Sequence, residues 1–253
     1  MEFTNKTAVV TGGASGMGLL FAQNWTALGG NIVMCDVNEP VLQEKAAEIN
    51  TKGNGGAVAC VCDVRDYAQV CAARDLAVAE YGSIDVLVNF AGGYAPRMLK
   101  VDNAKYPEFP DVPIEVFDWG LDVNLKGPFY FGHAVLKQMR EQKNGLIINI
   151  GSITGAEGSS YGMEYATSKA GLMYGFTKSV AQYGAKHNIR CVCVSPGPVL
   201  TRPEMANMKT MLGRAADPQE IIDLCLFLAS DKGQFINGEN IMIDGGRNAM
   251  KRR

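Results

Sequence analysis

The stretch TAVVTGGASGMG, residues 7–18, decides the fold of this 253-residue chain. A short apolar run, 7–11, leads directly into a glycine-rich turn, and a helix-forming stretch, 19–28, follows it. Glycines at such a turn let the backbone approach a pyrophosphate, and the next helix offers free N–H groups and the positive end of its dipole. The stretch therefore predicts a dinucleotide-binding turn formed by Gly12, Ser15, Gly16, Met17 and Gly18.

The same alternation of short apolar runs and helical segments continues along the chain. It predicts strands near 31–35, 57–62, 84–89, 145–151, 189–195 and 240–243, and helices near 41–49, 67–81, 116–140 and 161–186. Most of the strands are continuous apolar runs, which is typical of parallel strands covered on both faces. We expect a single α/β domain, 1–253, with a doubly wound, seven-stranded, mostly parallel sheet and helices on both faces. A last helix should begin at Asp217, because Asp217, Pro218 and Glu220 form a capping-box pattern.

Residues at the ends of the predicted strands extend the nucleotide site. Asp36 ends the second strand, where a carboxylate can accept both ribose hydroxyls of an adenosine and would repel a 2′-phosphate. No arginine or lysine adjoins Asp36 in the sequence, so the local charge favours NAD over NADP. Further cofactor contacts are predicted at the ends of the third and fourth strands: Asp63, Val64, Asn89, Ala91 and Gly92.

Three side chains predict the chemistry of the site. Tyr165 and Lys169 are four residues apart in a predicted helix, so they share one face and the ammonium can stabilise the phenolate. Ser152 follows a predicted strand, at the end where α/β sheets place their ligands. A tyrosine and a lysine at this spacing also occur in many solvated helices. Together with the nucleotide motifs, however, these three side chains predict a carbonyl/alcohol redox site. The serine hydroxyl can bind the carbonyl oxygen, the tyrosine can transfer a proton, and the lysine supplies a cation beside it.

The composition disfavours several other classes of protein. A net charge of -2 and a hydrophobic content of 47% give no sign of disorder or of a nucleic-acid surface. No apolar run reaches the ~18 residues of a membrane span, and the first residues lack the apolar core of a signal peptide. We interpret the seven scattered cysteines as small hydrophobic residues of a protein in a reducing compartment. Because the chain has only two histidines, we expect no metal site. We expect a cytoplasmic protein with no nucleic-acid or membrane partner.

With these motifs assembled, the chain resembles a classical short-chain dehydrogenase/reductase over about residues 5–246. The family's motifs lie in order at matching spacings: T-G-x-x-x-G-x-G at 11–18, N-N-A-G at 89–92 and P-G at 196–197. Phe90 replaces the second asparagine, which affects only the side-chain contacts of that position. The family's catalytic residues match Asn124, Ser152, Tyr165 and Lys169. The resemblance implies a Rossmann-type domain and an NAD-dependent oxidoreductase acting on a CH–OH group.

The resemblance also implies roles for these residues. Tyr165 would be the general acid/base, Ser152 would polarise the substrate oxygen, and Lys169 would bind the nicotinamide ribose. Asn124 would hold a water molecule in a proton relay. The nicotinamide site would be lined by Pro196, Gly197, Val199 and Thr201. Family members commonly form tetramers through the two long helices and the last strand, which implies a homotetramer or homodimer here.

Two segments depart from a typical family member and should carry the substrate information. The segment from Gly92 to Asn124 is longer than usual, and the segment 197–214, which usually forms a lid over the substrate, is shorter. We hypothesise that the long loop supplies closure that the short lid cannot; a surface insertion or a subunit contact is an equal alternative. Its aromatic residues could stack on a sugar or steroid ring, or pack the loop onto the domain. Arg97 could pair with an acidic substrate group or be solvated.

The sequence predicts an NAD-dependent dehydrogenase that interconverts a small-molecule secondary alcohol and a ketone. Sugars or polyols, hydroxysteroids and 3-hydroxyacyl thioesters all stay open as substrates. One alternative is an NADPH-dependent 3-oxoacyl thioester reductase, which Asp36 disfavours. Another is a catalytically silent NAD-binding regulator, which the intact set of catalytic residues disfavours.

Overall fold

A computed structural model of the chain describes residues 1–52, 54–94, 105–201 and 203–250. The described part contains seven strands: β1 (Thr7–Thr11), β2 (Asn31–Asp36), β3 (Ala57–Val61), β4 (Val86–Asn89), β5 (Gly145–Ile150), β6 (Ile189–Pro196) and β7 (Asn240–Ile243). They form one sheet in the order β3-β2-β1-β4-β5-β6-β7, and every pair is parallel. The predicted strands are confirmed, with ends that differ by at most two residues, and the sheet is wholly parallel.

Nine α-helices of at least five residues flank the sheet in the described part of the chain. They are α1 (Gly16–Ala27), α2 (Glu39–Asn50), α3 (Tyr67–Tyr81), α4 (Ile114–Leu121), α5 (Gly127–Gln142), α6 (Ile153–Glu157), α7 (Met163–Ala170), α8 (Thr177–Ala185) and α9 (Pro218–Ala229). Two π-helical segments, Asp122–Lys126 and Gly171–Phe176, join α4 to α5 and α7 to α8. The two long predicted helices therefore exist, but each contains a π segment. None of the described helices is both long and apolar enough to cross a membrane.

The helices cover both faces of the sheet. On one face, α1, α2 and α9 bury Phe21, Leu42 and Ile222 against the strands. On the other face, α3, α5 and α8 bury residues such as Phe131 and Val180. Because each strand carries apolar side chains on both faces, the continuous apolar runs of the sequence are accounted for.

The strand order also places the site. The chain runs outward from β1 to β2 and β3, and then returns to add β4 on the other side of β1. Successive crossovers therefore diverge between β1 and β4, and this leaves a crevice at the carboxyl ends of these two strands. The ends of β5 and β6 open on the same edge of the sheet.

The predicted start of α9 is confirmed. The carboxylate of Asp217 accepts a hydrogen bond from the Gln219 N–H at 2.8 Å, and Glu220 accepts one from the Asp217 N–H at 2.8 Å. Arg214 adds two bonds to the Glu220 carboxylate, at 2.6 and 2.7 Å. This guanidinium and the backbone donor lower the pKa of Glu220 to about 2. The cap fixes the point at which the segment after β6 returns to the domain.

Candidate active site

The turn after β1 requires glycine at two positions, because a side chain there would collide with neighbouring backbone atoms. Gly12 has a φ of +70°, and a Cβ there would lie 3.2 Å from the Ala91 nitrogen. A Cβ on Gly18 would overlap the Gly12 carbonyl oxygen, so the first turn of α1 can lie directly on β1 only with glycine at this position. Ser15 caps α1 with extended backbone, and no side-chain capping bond forms. The free N–H groups at this helix end are thus available to an anion.

A cavity of about 610 Å³ lies over this turn, and we call it the glycine-turn chamber. The predicted cofactor residues that line it are Gly12, Ser15, Gly16, Met17, Gly18, Asp36, Asp63, Val64, Ala91, Gly92 and Thr201. Trp119 of α4 and Val123 of the π segment also line it, and sequence reasoning had missed both. They lie in a long helix whose pattern carries no nucleotide motif, so nothing local indicates their position.

The carboxylate of Asp36 is held in place by the backbone. One oxygen accepts a hydrogen bond from the Ala14 N–H at 3.1 Å, and the other accepts one from the Asn38 N–H at 3.0 Å. Asp36 is partly exposed and faces the glycine-turn chamber. A fixed negative charge therefore stands where the sequence had predicted a ribose-binding carboxylate.

Asp63 has a partner that the sequence did not suggest. The guanidinium of Arg65 binds both oxygens of the Asp63 carboxylate, with its Nε at 3.0 Å from each and a terminal nitrogen at 2.6 Å. This pairing lowers the pKa of Asp63. Arg65 lines the same chamber as Asp36, so a cation does stand near the predicted ribose site. Because Asp63 pairs with it, its charge is largely neutralised there.

Asn89 lies inside the sheet and does not line the glycine-turn chamber. It is 1% exposed, and its Nδ2 donates to the Asn149 oxygen at 2.9 Å. The Asn149 amide in turn donates to Thr177 at 3.0 Å. This buried chain of side chains links β4, β5 and α8. The contact of Asn89 with a cofactor stays a prediction.

A second cavity, of about 380 Å³, adjoins the first, and we call it the tyrosine chamber. The predicted residues that line it are Ser152, Tyr165, Lys169, Pro196, Gly197, Val199 and Thr201. The two cavities share Met17, Phe90, Gly92 and Thr201 as wall residues. Phe90 thus stands at the junction, with its ring centre 6.0 Å from that of Phe21. A single extended ligand could occupy both cavities.

Ser152, Tyr165 and Lys169 meet in the tyrosine chamber. Ser152 caps α6, and its Oγ accepts a hydrogen bond from the Thr154 N–H at 3.1 Å. The Lys169 ammonium donates to the Ile150 carbonyl oxygen at 2.7 Å and lies 5.5 Å from the centre of the Tyr165 ring. Lys169 is 4% exposed and therefore presents a nearly dehydrated cation beside the tyrosine. The fold thus brings a buried lysine and the tyrosine together at one side of the chamber.

Asn124 lies in the π segment behind the tyrosine chamber and is fully buried. Its Oδ1 accepts from the Gly93 N–H at 3.0 Å, and its Nδ2 donates to the carbonyl oxygens of Gly93 and Gly120, each at 2.9 Å. The side chain therefore fixes the backbone that follows Gly92, close to Lys169. The water relay that the resemblance implies for Asn124 stays a prediction.

The described ends of the long loop pack against the site. Tyr94 lines the tyrosine chamber, and its ring meets that of Tyr165 at 86° with centres 6.1 Å apart. Met205 and Met208 close the chamber from the segment after β6, and sequence reasoning had identified that segment without naming these two residues. Arg97 and the rest of 95–104 lie outside the described residues.

Known proteins resemble this arrangement in sequence and in structure. The family profile of the short chain dehydrogenases matches residues 6–211. The chain belongs to the short chain dehydrogenase family. The predicted family and fold are confirmed.

Family members of known name cover almost the whole chain. The 7alpha-hydroxysteroid dehydrogenase of Bacteroides fragilis is 32% identical over 97% of this chain and 95% of its own. The trans-4-hydroxycyclohexanecarboxylate dehydrogenase of Sinomonas cyclohexanicum is 37% identical over 96% of this chain and 93% of its own. A solved 3-oxoacyl-[acyl-carrier protein] reductase from Brucella melitensis, with bound NAD, is 29% identical, with a TM-score of 0.87 and coverage of 97% and 92%.

Proposed function

We propose that this protein is an NAD-dependent dehydrogenase that interconverts a secondary alcohol and a ketone. The observation that carries the proposal is the meeting of Ser152, Tyr165 and Lys169 in a chamber that continues into the glycine-turn chamber. The named relatives, which act on hydroxyl or oxo groups, support the same reaction type.

The residues present fit NAD. At the turn, Gly12 and Gly18 allow the backbone to pack closely on itself, and the uncapped N–H groups at the start of α1 are available to a pyrophosphate. Asp36 offers a fixed carboxylate for ribose hydroxyls and opposes a 2′-phosphate. Lys169, together with Pro196 and Val199, would hold the nicotinamide half in the tyrosine chamber. When bound, NAD⁺ supplies the hydride acceptor for alcohol oxidation.

The side chains of the chamber would handle the proton. Tyr165 accepts the hydroxyl proton of the alcohol as its carbonyl forms, and returns a proton in the reverse direction. The Ser152 hydroxyl donates a hydrogen bond to the same substrate oxygen and so stabilises the charge that develops there. The buried Lys169 ammonium stabilises the phenolate of Tyr165 between these steps.

The proposal is tested with purified protein, a panel of secondary alcohols and either NAD⁺ or NADP⁺. Alkaline pH is chosen because the oxidation releases a proton. We expect NADH to form with at least one alcohol, and kcat/KM to be at least about tenfold higher with NAD⁺, a difference of ~1.4 kcal/mol. Tight NAD⁺ binding without NADH formation on any alcohol would identify a silent regulator instead.

A second candidate, an NADPH-dependent 3-oxoacyl thioester reductase, has one observation in its favour. Arg65 lines the glycine-turn chamber and could reach a 2′-phosphate if Asp63 released it. Comparing the KM for NADH with that for NADPH separates the two candidates, because the reductase would show the lower KM with NADPH.

We also propose that the protein is a cytoplasmic homotetramer or homodimer. All seven cysteines are free, which fits a reducing compartment. Phe129 on α5 and Tyr174 in the π segment before α8 are about half exposed, at 50% and 48%. A second copy of the chain packed on the two long helices would cover these rings. Light scattering on a sizing column tests this, and a monomer at micromolar concentration would contradict it.

A further inference from the structure

The first observation is how Tyr94 is held beside the catalytic tyrosine. Gly162 precedes α7 with a φ of +72°, and a Cβ on it would overlap the Tyr94 ring. Tyr94 thus lies directly on the backbone that leads into the helix of Tyr165. A side chain at this glycine would displace the ring, so the close approach depends on glycine at position 162.

The second observation is that other aromatic rings extend this contact. The Tyr106 ring stacks on Tyr94 at 18° with centres 6.2 Å apart, and its edge meets Tyr161 at 74° and 6.5 Å. Tyr94 and Tyr161 both line the tyrosine chamber, whereas Tyr106 supports them from behind. We call Tyr94, Tyr106 and Tyr161 the tyrosine wall. Aromatic pairs in stacked and edge-to-face arrangements stabilise one another. The wall therefore presents two apolar rings, Tyr94 and Tyr161, that stand at a steep angle to each other and can enclose a ligand between them.

The third observation is that the wall is uncharged. Burial, followed by the neighbouring Tyr106, Glu164 and Tyr161, raises the pKa of Tyr94 to about 12. Tyr94 therefore stays a neutral phenol at physiological pH. Met205, Met208 and Ile153 add apolar side chains to the lining of the chamber. Among the described lining residues, Lys169 is the one charged side chain, and it belongs to the catalytic group.

We infer that the substrate is a secondary alcohol whose hydroxyl-bearing carbon belongs to, or adjoins, a ring that packs on Tyr94 and Tyr161. This rests on the proposed function, since it assumes that Tyr165 is the acid/base. An apolar corner formed by two aromatic rings gains most from a rigid ring, because a ring loses little conformational freedom on binding. An open-chain alcohol of the same size would have to be ordered against the same surface, at an entropic cost.

The test uses cyclohexanol and 2-hexanol as matched probes, with NAD⁺ and the full-length protein. We expect the wild type to oxidise cyclohexanol with a kcat/KM at least about tenfold higher, equivalent to ~1.4 kcal/mol. Tyr94→Ala and Tyr161→Ala should each raise the KM for cyclohexanol several-fold and change that for 2-hexanol less than twofold. Tyr94→Phe keeps the ring and should retain the preference.

Phe109→Ala is the control for general loosening of the long loop. Phe109 is 50% exposed and does not line the tyrosine chamber, so its loss should leave both probes unchanged. Tyr161 is 58% exposed, so its replacement tests the wall even if Tyr94→Ala proves unstable. Thermal melting of each variant separates loss of fold from loss of recognition.

Equal or better turnover of 2-hexanol by the wild type would overturn the inference while leaving the proposed dehydrogenase intact. So would a uniform loss on both probes in the two alanine variants. Failure of every alcohol in the wider panel, with NAD⁺ still bound, would instead contradict the proposed function, and the inference would fail with it.

Discussion

The two chambers of the site are built differently. The glycine-turn chamber is shaped by the backbone. Gly12 and Gly18 let neighbouring backbone segments pack closely together, and main-chain N–H groups hold the Asp36 carboxylate in place. The tyrosine chamber is shaped by side chains that come from distant segments, such as Tyr94, Tyr161 and Met205. A backbone surface recognises a cofactor that many proteins share. A surface of side chains can change from one protein to the next, and it therefore carries the substrate preference.

The largest effect is expected at Lys169, which would serve both proton transfer and cofactor binding. Lys169→Met removes the buried ammonium that contacts both the Ile150 carbonyl and the Tyr165 ring. We expect kcat to fall by about 10²–10⁴-fold and NAD affinity to weaken as well, because the same cation serves proton transfer and cofactor binding. Steady-state kinetics and a titration of NAD⁺ measure the two effects. Lys186→Met, at an exposed lysine, is the control, and wild-type turnover in Lys169→Met would contradict the assignment.

The next effect should be confined to the cofactor side. Gly18→Ala places a methyl group against the Gly12 carbonyl, and backbone cannot move aside as a flexible side chain can. Overpacking of this kind costs typically ~1–3 kcal/mol, so we expect NAD affinity to fall by at least about tenfold. Calorimetry gives the affinity and thermal melting gives the stability. Gly175→Ala, where a Cβ would meet nothing within 4 Å, should leave NAD affinity unchanged and should not lower the melting temperature.

A smaller effect should change which cofactor is used. Asp36→Asn keeps the size of the side chain and removes the charge that opposes a 2′-phosphate. We expect the ratio of kcat/KM for NADP⁺ to that for NAD⁺ to rise by about tenfold, or ~1.4 kcal/mol. The exposed Asp75→Asn should leave the ratio unchanged. No change of the ratio in Asp36→Asn would show that this carboxylate does not select the cofactor.

The smallest effect should be confined to the substrate side. Gly162→Ala strains a left-handed backbone by roughly 1–2 kcal/mol and displaces Tyr94. We expect the KM for the alcohol to rise by about threefold to tenfold, with NAD affinity unchanged. Gly82→Ala is the matched control, because Gly82 also has a left-handed backbone, with a φ of +78°, and no neighbour within 4 Å of a Cβ. Equal KM values in the two variants would show that Tyr94 does not contribute to substrate binding.

Much of the fold and of the cofactor chamber could be predicted from the sequence because the signals are local. The turn at 11–18, the apolar strands and the Asp217 cap each depend on residues a few positions apart. Other features depend on residues that the fold brings together. Tyr94 meets Gly162, which follows a different strand, and the Asn89 amide donates to Asn149 inside the sheet. Arg65 reaches the chamber only because it folds back on Asp63.

The central claim is that Tyr165 transfers the proton but is not needed for NAD⁺ binding. The most direct test is to measure NAD⁺ affinity and the single-turnover rate of alcohol oxidation in the wild type and in Tyr165→Phe. The account predicts equal NAD⁺ affinity in the two proteins and a rate at least about 10²-fold lower in Tyr165→Phe. Wild-type oxidation by Tyr165→Phe would contradict it.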